Sequence, residues 1–356
     1  MRVIQLVESF DYGDGIGNDI IHIHEMLDAL GIKNRIYSNW VNERVAHYTK
    51  RIEKYKPRKD DLIIFHFSGK SHIMDQMRFY SCKKVLRYHN ITPPEFFRKS
   101  NPELYQNCME GLKQLQDYIP LFDAFLPESS FNREDLITYG ALPNRITAIP
   151  ILVDFDQLER KTVDVSLQNE LKEQSYILFV GRVVPNKCFE DILDAFECYY
   201  KYHDNTKKLY LVGNTECDAV YMKKITEKLK TLDSRGNIVF TGKVSESQLY
   251  TYYRNASLFL CMSEHEGFCI PLLEAMHFQV PVVGYDSCAV PSTMGNSGAL
   301  LHKKDPCWAA CLLEELLVDD DLRNEILIAQ EKNLDAYRRN TIQKQLHEYI
   351  KKWEAQ

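Results

Sequence analysis

The chain has 356 residues, 45% of them apolar and 26% charged, which is the balance of a folded globular protein with room for two domains and not that of a disordered one. The formal net charge of -6 argues against a nucleic-acid binder. Ten cysteines lie singly between Cys82 and Cys311 without a C-x-x-C pair, which disfavours a disulfide framework or a zinc site.

The N-terminal Met1–Val7 run goes directly into strand-like sequence and is too short for a signal peptide. No apolar stretch approaches the ~18 residues of a membrane span. These features predict a cytoplasmic protein and leave peripheral contact with the inner face of a membrane open. In the first half, strands are expected at Val3–Val7, Arg35–Tyr37, Leu62–Phe67, Val85–His89, Ala124–Pro127 and Ile146–Pro150, with helices at Asn18–Leu30 and Leu104–Tyr118. Lys50–Lys59 carries six basic residues and one acid, and reads as a solvated helix end before Pro57 or as an anionic-membrane contact.

The polar stretch Gln157–Gln174 reads as a linker. Beyond it, strands are expected at Tyr176–Gly181, Leu209–Val212, Ile238–Thr241, Leu258–Cys261, Val280–Gly284 and Ala299–Leu301, with helices at Phe189–Tyr200, Ala219–Leu229 and Glu246–Arg254. Asp335–Glu354 reads as a closing charged helix. Alternating strands and helices imply doubly wound parallel sheets, so the prediction is α/β with two Rossmann-like domains. Their bounds are 1–160 and 161–334, with 335–356 returning to the first. Ligands of such sheets bind beyond the carboxyl ends of the strands, which predicts a cleft between facing domains.

Polar residues after strands are therefore the candidates for chemistry. Glu266 and Glu274 bracket seven residues in the segment Ser263–Met276. Pro271 suits the first turn of a helix, where its missing N–H costs nothing. The amides of Gly267, Phe268 and Cys269 would then lie at a helix N-terminus, a site for phosphate or sugar oxygens. Glu266 would stand at its mouth and Glu274 about two turns further in, suiting a ligand with hydroxyls at two ends, such as a sugar nucleotide. In Gly181–Lys187, Arg182 and Lys187 could converge on a diphosphate, or form only a polar turn. Gly13-x-Gly15-x-Gly17 has the wrong third spacing for a dinucleotide fingerprint. His66 and His89 follow strands at the predicted cleft and read as site residues or as structural polar residues, whereas His22 and His24 alternate along a helix and read as non-catalytic.

Three blocks give the second half a resemblance to glycosyltransferase family 4, a retaining family with the two-domain GT-B fold. They are Gly181-Arg182 with Lys187, Ile238–Val244, and Glu266-Gly267-Phe268 through Pro271 to Glu274-Ala275-Met276. The first half resembles a bacterial polysaccharide branch through Gly13–Asp19, His66-Phe67-Ser68, Tyr88–Pro93 and Ser130-Phe131-Asn132. The resemblance implies that Arg182 and Lys187 hold the diphosphate and that Glu274 accepts from ribose hydroxyls. It implies that Glu266, with Gly267 and Phe268, binds the donor sugar, that Lys243 and Val244 lie beside the base, and that His89 sits near the acceptor. Gly15 and Gly17 would let the first loop approach the phosphates.

Two departures stand out: Ser292 and Thr293 follow Pro291 where the family often has Glu, and Gln279 replaces a common Gly. The implied reaction moves a hexosyl group from a UDP- or GDP-sugar to a hydroxyl, such as that of a lipid-linked glycan, with retention and with neither metal nor other cofactor. A sugar phosphorylase or nucleotide-sugar epimerase on the same fold, or a non-catalytic nucleotide-sugar-binding subunit, are the alternatives.

Overall fold

A computed structural model describes residues 1–354. The chain divides into two compact units. The first comprises Met1–Glu95, Glu103–Leu152 and the segment from Tyr337 onward; the second comprises Phe96–Pro102 and Val153–Ala336.

The first unit is built on a parallel sheet of β1 (Arg2–Phe10), β2 (Asn34–Val41), β3 (Thr49–Arg51), β4 (Asp61–Phe67), β5 (Lys83–Tyr88) and β6 (Ala124–Pro127). Their order is β3-β2-β1-β4-β5-β6. β4, DLIIFHF, is buried at every position, as expected of a parallel strand covered on both faces. Val3, Leu62, Ile64, Val85 and Leu126 share a core with Ile23, Met26 and Leu27 of the helix Gly15–Ala29. The C-terminal helix Arg339–Glu354 completes that core with Ile342, Leu346, Tyr349 and Ile350, one stripe at 3.6-residue spacing.

The second unit repeats the plan with β7 (Tyr176–Val180), β8 (Lys208–Val212), β9 (Ile238–Gly242), β10 (Leu258–Cys261), β11 (Val282–Tyr285) and β12 (Ala299–Leu301). Their order, β12-β11-β10-β7-β8-β9, is the same doubly wound sequence. Each sheet therefore has one switch point, between β1 and β4 and between β7 and β10, and the loops there are where ligands of such sheets bind.

Four expectations need correction. Ile146–Pro150 is not a strand: it makes one isolated bridge, Phe125 to Ile146, and the carbonyl of Ile149 accepts from Arg87 Nη1 at 2.6 Å, which takes it away from a ladder. Lys50–Lys59 is not a helix end; it begins in the edge strand β3 and continues into a 3-10 turn, Ile52–Lys54. Gln157–Gln174 is largely helical, with Phe155–Arg160 capped by Asp154 and Val165–Leu171 capped by Asp164. The closing helix starts at Arg339, after a 3-10 turn at Asp335–Tyr337. No helix among the described residues is long and apolar enough to cross a membrane.

Candidate functional site

In the second unit the switch point is formed by the loops after β7 and β10. After β7 the chain runs through Gly181 and Arg182 into the 3-10 turn Pro185–Lys187. Gly213, at φ 150°, crosses so closely that a Cβ there would meet the Gly181 carbonyl oxygen at 2.0 Å. Arg182 is exposed. Buried Asn186 ties the two loops together: its side-chain amide donates to the His265 carbonyl at 3.0 Å, and its own carbonyl accepts from Glu264 N–H at 2.9 Å.

That strap brings Lys187 to Glu266. Their Nζ and Oε1 atoms are 2.5 Å apart, with side chains 18% and 9% exposed. Burial opposes the Lys187 ammonium, but the Glu266 carboxylate outweighs it and leaves the group above its ordinary pKa. Gly267 and Phe268 follow, and Cys269 caps the helix Ile270–His277 in a left-handed conformation, φ 70°. The helix thus begins at Ile270, with Pro271 in its first turn. Burial pushes His265 down to about 4, so its ring is neutral near pH 7.

Glu274, on that helix, accepts from Tyr253 OH at 2.8 Å. Burial raises its carboxyl to about 7, against the opposing effect of this hydrogen bond. Gly242, the last residue of β9, takes φ 69° and leads to exposed Lys243 and half-buried Val244. Thr293, two residues after Pro291, donates its hydroxyl to the Phe268 carbonyl at 2.5 Å and so ties this segment to the loop. Gln279 adopts φ 57°, the left-handed conformation that a glycine takes without cost.

In the first unit, His89 follows β5, while His66 lies inside β4 and not after it. Their rings are joined, His66 Nδ1 to His89 Nε2, at 2.9 Å. Asp19, on the helix Gly15–Ala29, receives both Nε and Nη2 of Arg87, at 2.8 and 2.9 Å. Burial works against the Asp19 carboxylate, but the Arg87 charge holds its pKa low. His22 and His24 bond the Leu152 carbonyl and the Asn34 side chain. Gly15 opens the helix, and a Cβ on Gly17 would meet the Asp11 carbonyl oxygen at 2.0 Å, so Gly17 is demanded by its own loop.

Among the described residues, three clusters have donor atoms close enough to share a metal ion: Asp19, His66 and His89; Cys261, Glu266 and Cys269; and Cys188, Asp191 and Glu264. In each, a carboxylate is already paired with a basic side chain, namely Arg87, Lys187 or Lys304. Among the expected site residues, the side-chain geometry joins Lys187 to Glu266 in the second unit. Arg182 and Lys243 stand on segments that follow β7 and β9, and Glu274 on the helix Ile270–His277. Asp19, Arg87, Asn186 and Tyr253 were not singled out from sequence.

Residues 164–332 match the family described as Glycosyl transferases group 1. The second unit is a group 1 glycosyltransferase domain. Beyond this unit, the chain is 25% identical over 248 residues to an O-antigen chain mannosyltransferase B of Escherichia coli, covering 68% of this chain and 63% of that protein. It is 21% identical over 351 residues to a lipopolysaccharide 1,2-N-acetylglucosaminetransferase of Salmonella typhimurium, covering 94% of this chain and 85% of that one. In structure it resembles the Anabaena protein HepE in complex with UDP-glucose, with a TM-score of 0.75 at 15% identity over 99% of this chain and 100% of that chain. It likewise resembles a sucrose-phosphate synthase of Thermosynechococcus elongatus, with a TM-score of 0.76 at 15% identity over 100% of both chains. At such identities the likeness establishes the fold, GT-B with two Rossmann-like units. The chain thus has the GT-B fold, with a group 1 glycosyltransferase match over residues 164–332.

Proposed function

We propose that the protein transfers a hexosyl group from a UDP- or GDP-sugar to a hydroxyl acceptor, with retention and without a metal ion, in assembly of a surface polysaccharide or glycoconjugate. The observation that carries this reading is the Lys187–Glu266 pair at the β7/β10 switch point, inside the matched region. In this reading Lys187 exchanges Glu266 for the diphosphate when donor binds, and Arg182 supplies the second charge. Two fixed cations stabilise a leaving diphosphate in the way a metal ion otherwise does. Glu266, released from Lys187, accepts hydroxyls of the donor sugar. Glu274 accepts from the ribose, and Lys243 and Val244 border the base. Oxygen of the leaving diphosphate takes the acceptor proton as the new glycosidic bond forms, so no protein nucleophile is needed. The acceptor is a glycan hydroxyl, lipid-linked in the assembly setting that the named relatives suggest, and peripheral attachment at the cytoplasmic membrane face is part of the same reading.

The test is calorimetric titration with UDP, GDP and their hexose conjugates, followed by transfer assays with the binding donor in the presence of EDTA. Binding of one nucleotide series and anomeric retention in the product are expected. Transfer abolished by EDTA and restored by magnesium would remove the metal-independent mechanism. Absence of binding to every nucleotide would remove the donor assignment.

A further inference from the structure

Two helices of the second unit meet along a seam that side-chain contacts mark. They are Phe189–Tyr202, which leaves the loop after β7, and Pro306–Val318, which follows β12. Lys304, just before the second helix, pairs with Asp191 of the first at 2.5 Å. Cys198 and Cys307 come next and bring their sulfurs to 3.0 Å. Further on, Tyr199 donates its hydroxyl to Glu314 Oε2 at 2.9 Å. The partners come in the same order on both sides, so the helices run in parallel here. Asp191 and Cys198 lie about two turns apart on one helix face. The thiols therefore face each other in a seam that is held on either side of them.

Both cysteines are free, Cys307 exposed and Cys198 half-buried. The Cys307 N–H donates to Asp305 Oδ1 at 2.9 Å, which fixes its backbone in the first turn of its helix. Burial, the contact with Cys307 and the nearby acids Asp305 and Asp194 push the Cys198 thiol up to about 11. Cys307 is thus the sulfur that meets an oxidant first, and Cys198 is the one that resolves. A disulfide holds its sulfurs ~2.04 Å apart, so the pair closes by an approach of about 1 Å. The two cysteines are 109 positions apart. The chain between them carries β8, β9, β10, β11 and β12, all but one of the strands of the second sheet. A cross-link of such a span takes freedom from the unfolded chain and leaves the folded unit as it is.

We propose that Cys198 and Cys307 are a reversible disulfide site, oxidised by a low-molecular-weight disulfide, that staples the second unit across this seam. The Cys307 thiolate attacks one sulfur of the oxidant and expels the other, which leaves as a thiol. Cys198 loses its proton, attacks the Cys307 sulfur of the mixed disulfide and expels the second thiol. Two protein thiols become one disulfide while one disulfide of the oxidant becomes two thiols. The competitor for Cys307 is Cys311, also exposed and one turn further along the same helix.

The test treats the full-length protein with glutathione disulfide, blocks free thiols by alkylation and maps peptides without reductant. A peptide pair joined through Cys198 and Cys307 is expected, and dithiothreitol should release it. The pair should persist in Cys311→Ser and vanish in Cys198→Ser. Glutathione retained on Cys307, a Cys307–Cys311 bond or a disulfide-linked dimer in place of the pair would overturn the proposal. Stability is the second readout. Oxidised wild-type protein should melt at least about 5 °C above the reduced protein, as closure of a long loop in a unit of this length requires. Cys198→Ser should melt at one temperature under both conditions. Oxidised protein that melts at or below the reduced protein would overturn the stapling role even with the peptide pair in hand. Neither readout involves a nucleotide or an acceptor, so failure of the glycosyl-transfer reading leaves this test intact.

Discussion

Each unit holds an ion pair between a strand or strand-end loop and a second element, and the two pairs are set differently. Asp19–Arg87 is sealed, with side chains 2% and 1% exposed, and Arg87 also holds two backbone carbonyls. Lys187–Glu266 is joined by a single contact and is partly open, at 18% and 9%. A sealed bidentate pair cannot be exchanged for a ligand without leaving buried charge behind. A partly open pair can be exchanged, because an incoming anion and incoming hydroxyls replace both partners at once. The first is thus suited to fix neighbouring groups, the histidines above all, and the second to bind.

The largest expected effect is on the sealed pair. Arg87→Ala should destabilise the protein by about 3–5 kcal/mol, since it leaves Asp19 buried and unpaired. Denaturant titration measures it, and a loss under about 1 kcal/mol would mean that the pair does not organise the first unit. The open pair should show its effect in affinity. Lys187→Ala and Arg182→Ala should each weaken nucleoside diphosphate binding at least tenfold, from the loss of a charge-assisted contact of about 1.5–3 kcal/mol. Wild-type affinity in both, by calorimetry, would cancel the contrast between the two pairs.

A smaller effect is tied to pH. The raised Glu274 carboxyl, at about 7, means that the free protein is partly protonated there below neutrality. In the proposed site ribose hydroxyls would donate to this carboxylate, so binding there would favour the charged form and release a proton. Nucleotide affinity should rise by up to about tenfold per pH unit on approach to pH 7 and level off above it. Glu274→Gln should flatten that rise; an identical pH profile in the variant would place the ribose elsewhere. The smallest effect expected is at Gln279. Replacing this left-handed residue by Gly should stabilise by no more than about 1 kcal/mol, because relief of the conformational cost is partly offset by the entropy of glycine. A loss of stability would show that the side chain contributes more than its backbone costs.

Eleven of the twelve strands were legible as apolar runs between helical stretches. The exceptions have physical causes. Thr49–Arg51 is a three-residue edge strand of polar residues, which a hydrophobic pattern does not reveal. Ile146–Pro150 has the pattern of a strand, but Arg87 captures one of its carbonyls. In the site, Glu266 and Lys187 were legible separately, whereas their contact across 79 positions was not. Arg87 and Asp19 carried a signal that pattern reading could have used: a charge inside the apolar run Val85–Tyr88 and another among the apolar residues of the first helix. Two charges of opposite sign on faces that should be buried suggest each other as partners.

The helix Arg339–Glu354 contributes Ile342, Leu346, Tyr349 and Ile350 to the core that Val3 and Leu62 begin. The first unit is therefore assembled from segments made before and after the strands of the second unit. The second unit lies between them in the order of synthesis and has all of its strands before Leu334 is made. During translation it can close while its predecessor still waits for the last stripe of apolar side chains. A message truncated after Ala336 would release a finished second unit beside a first unit with bare apolar surface, a species marked for aggregation or proteolysis.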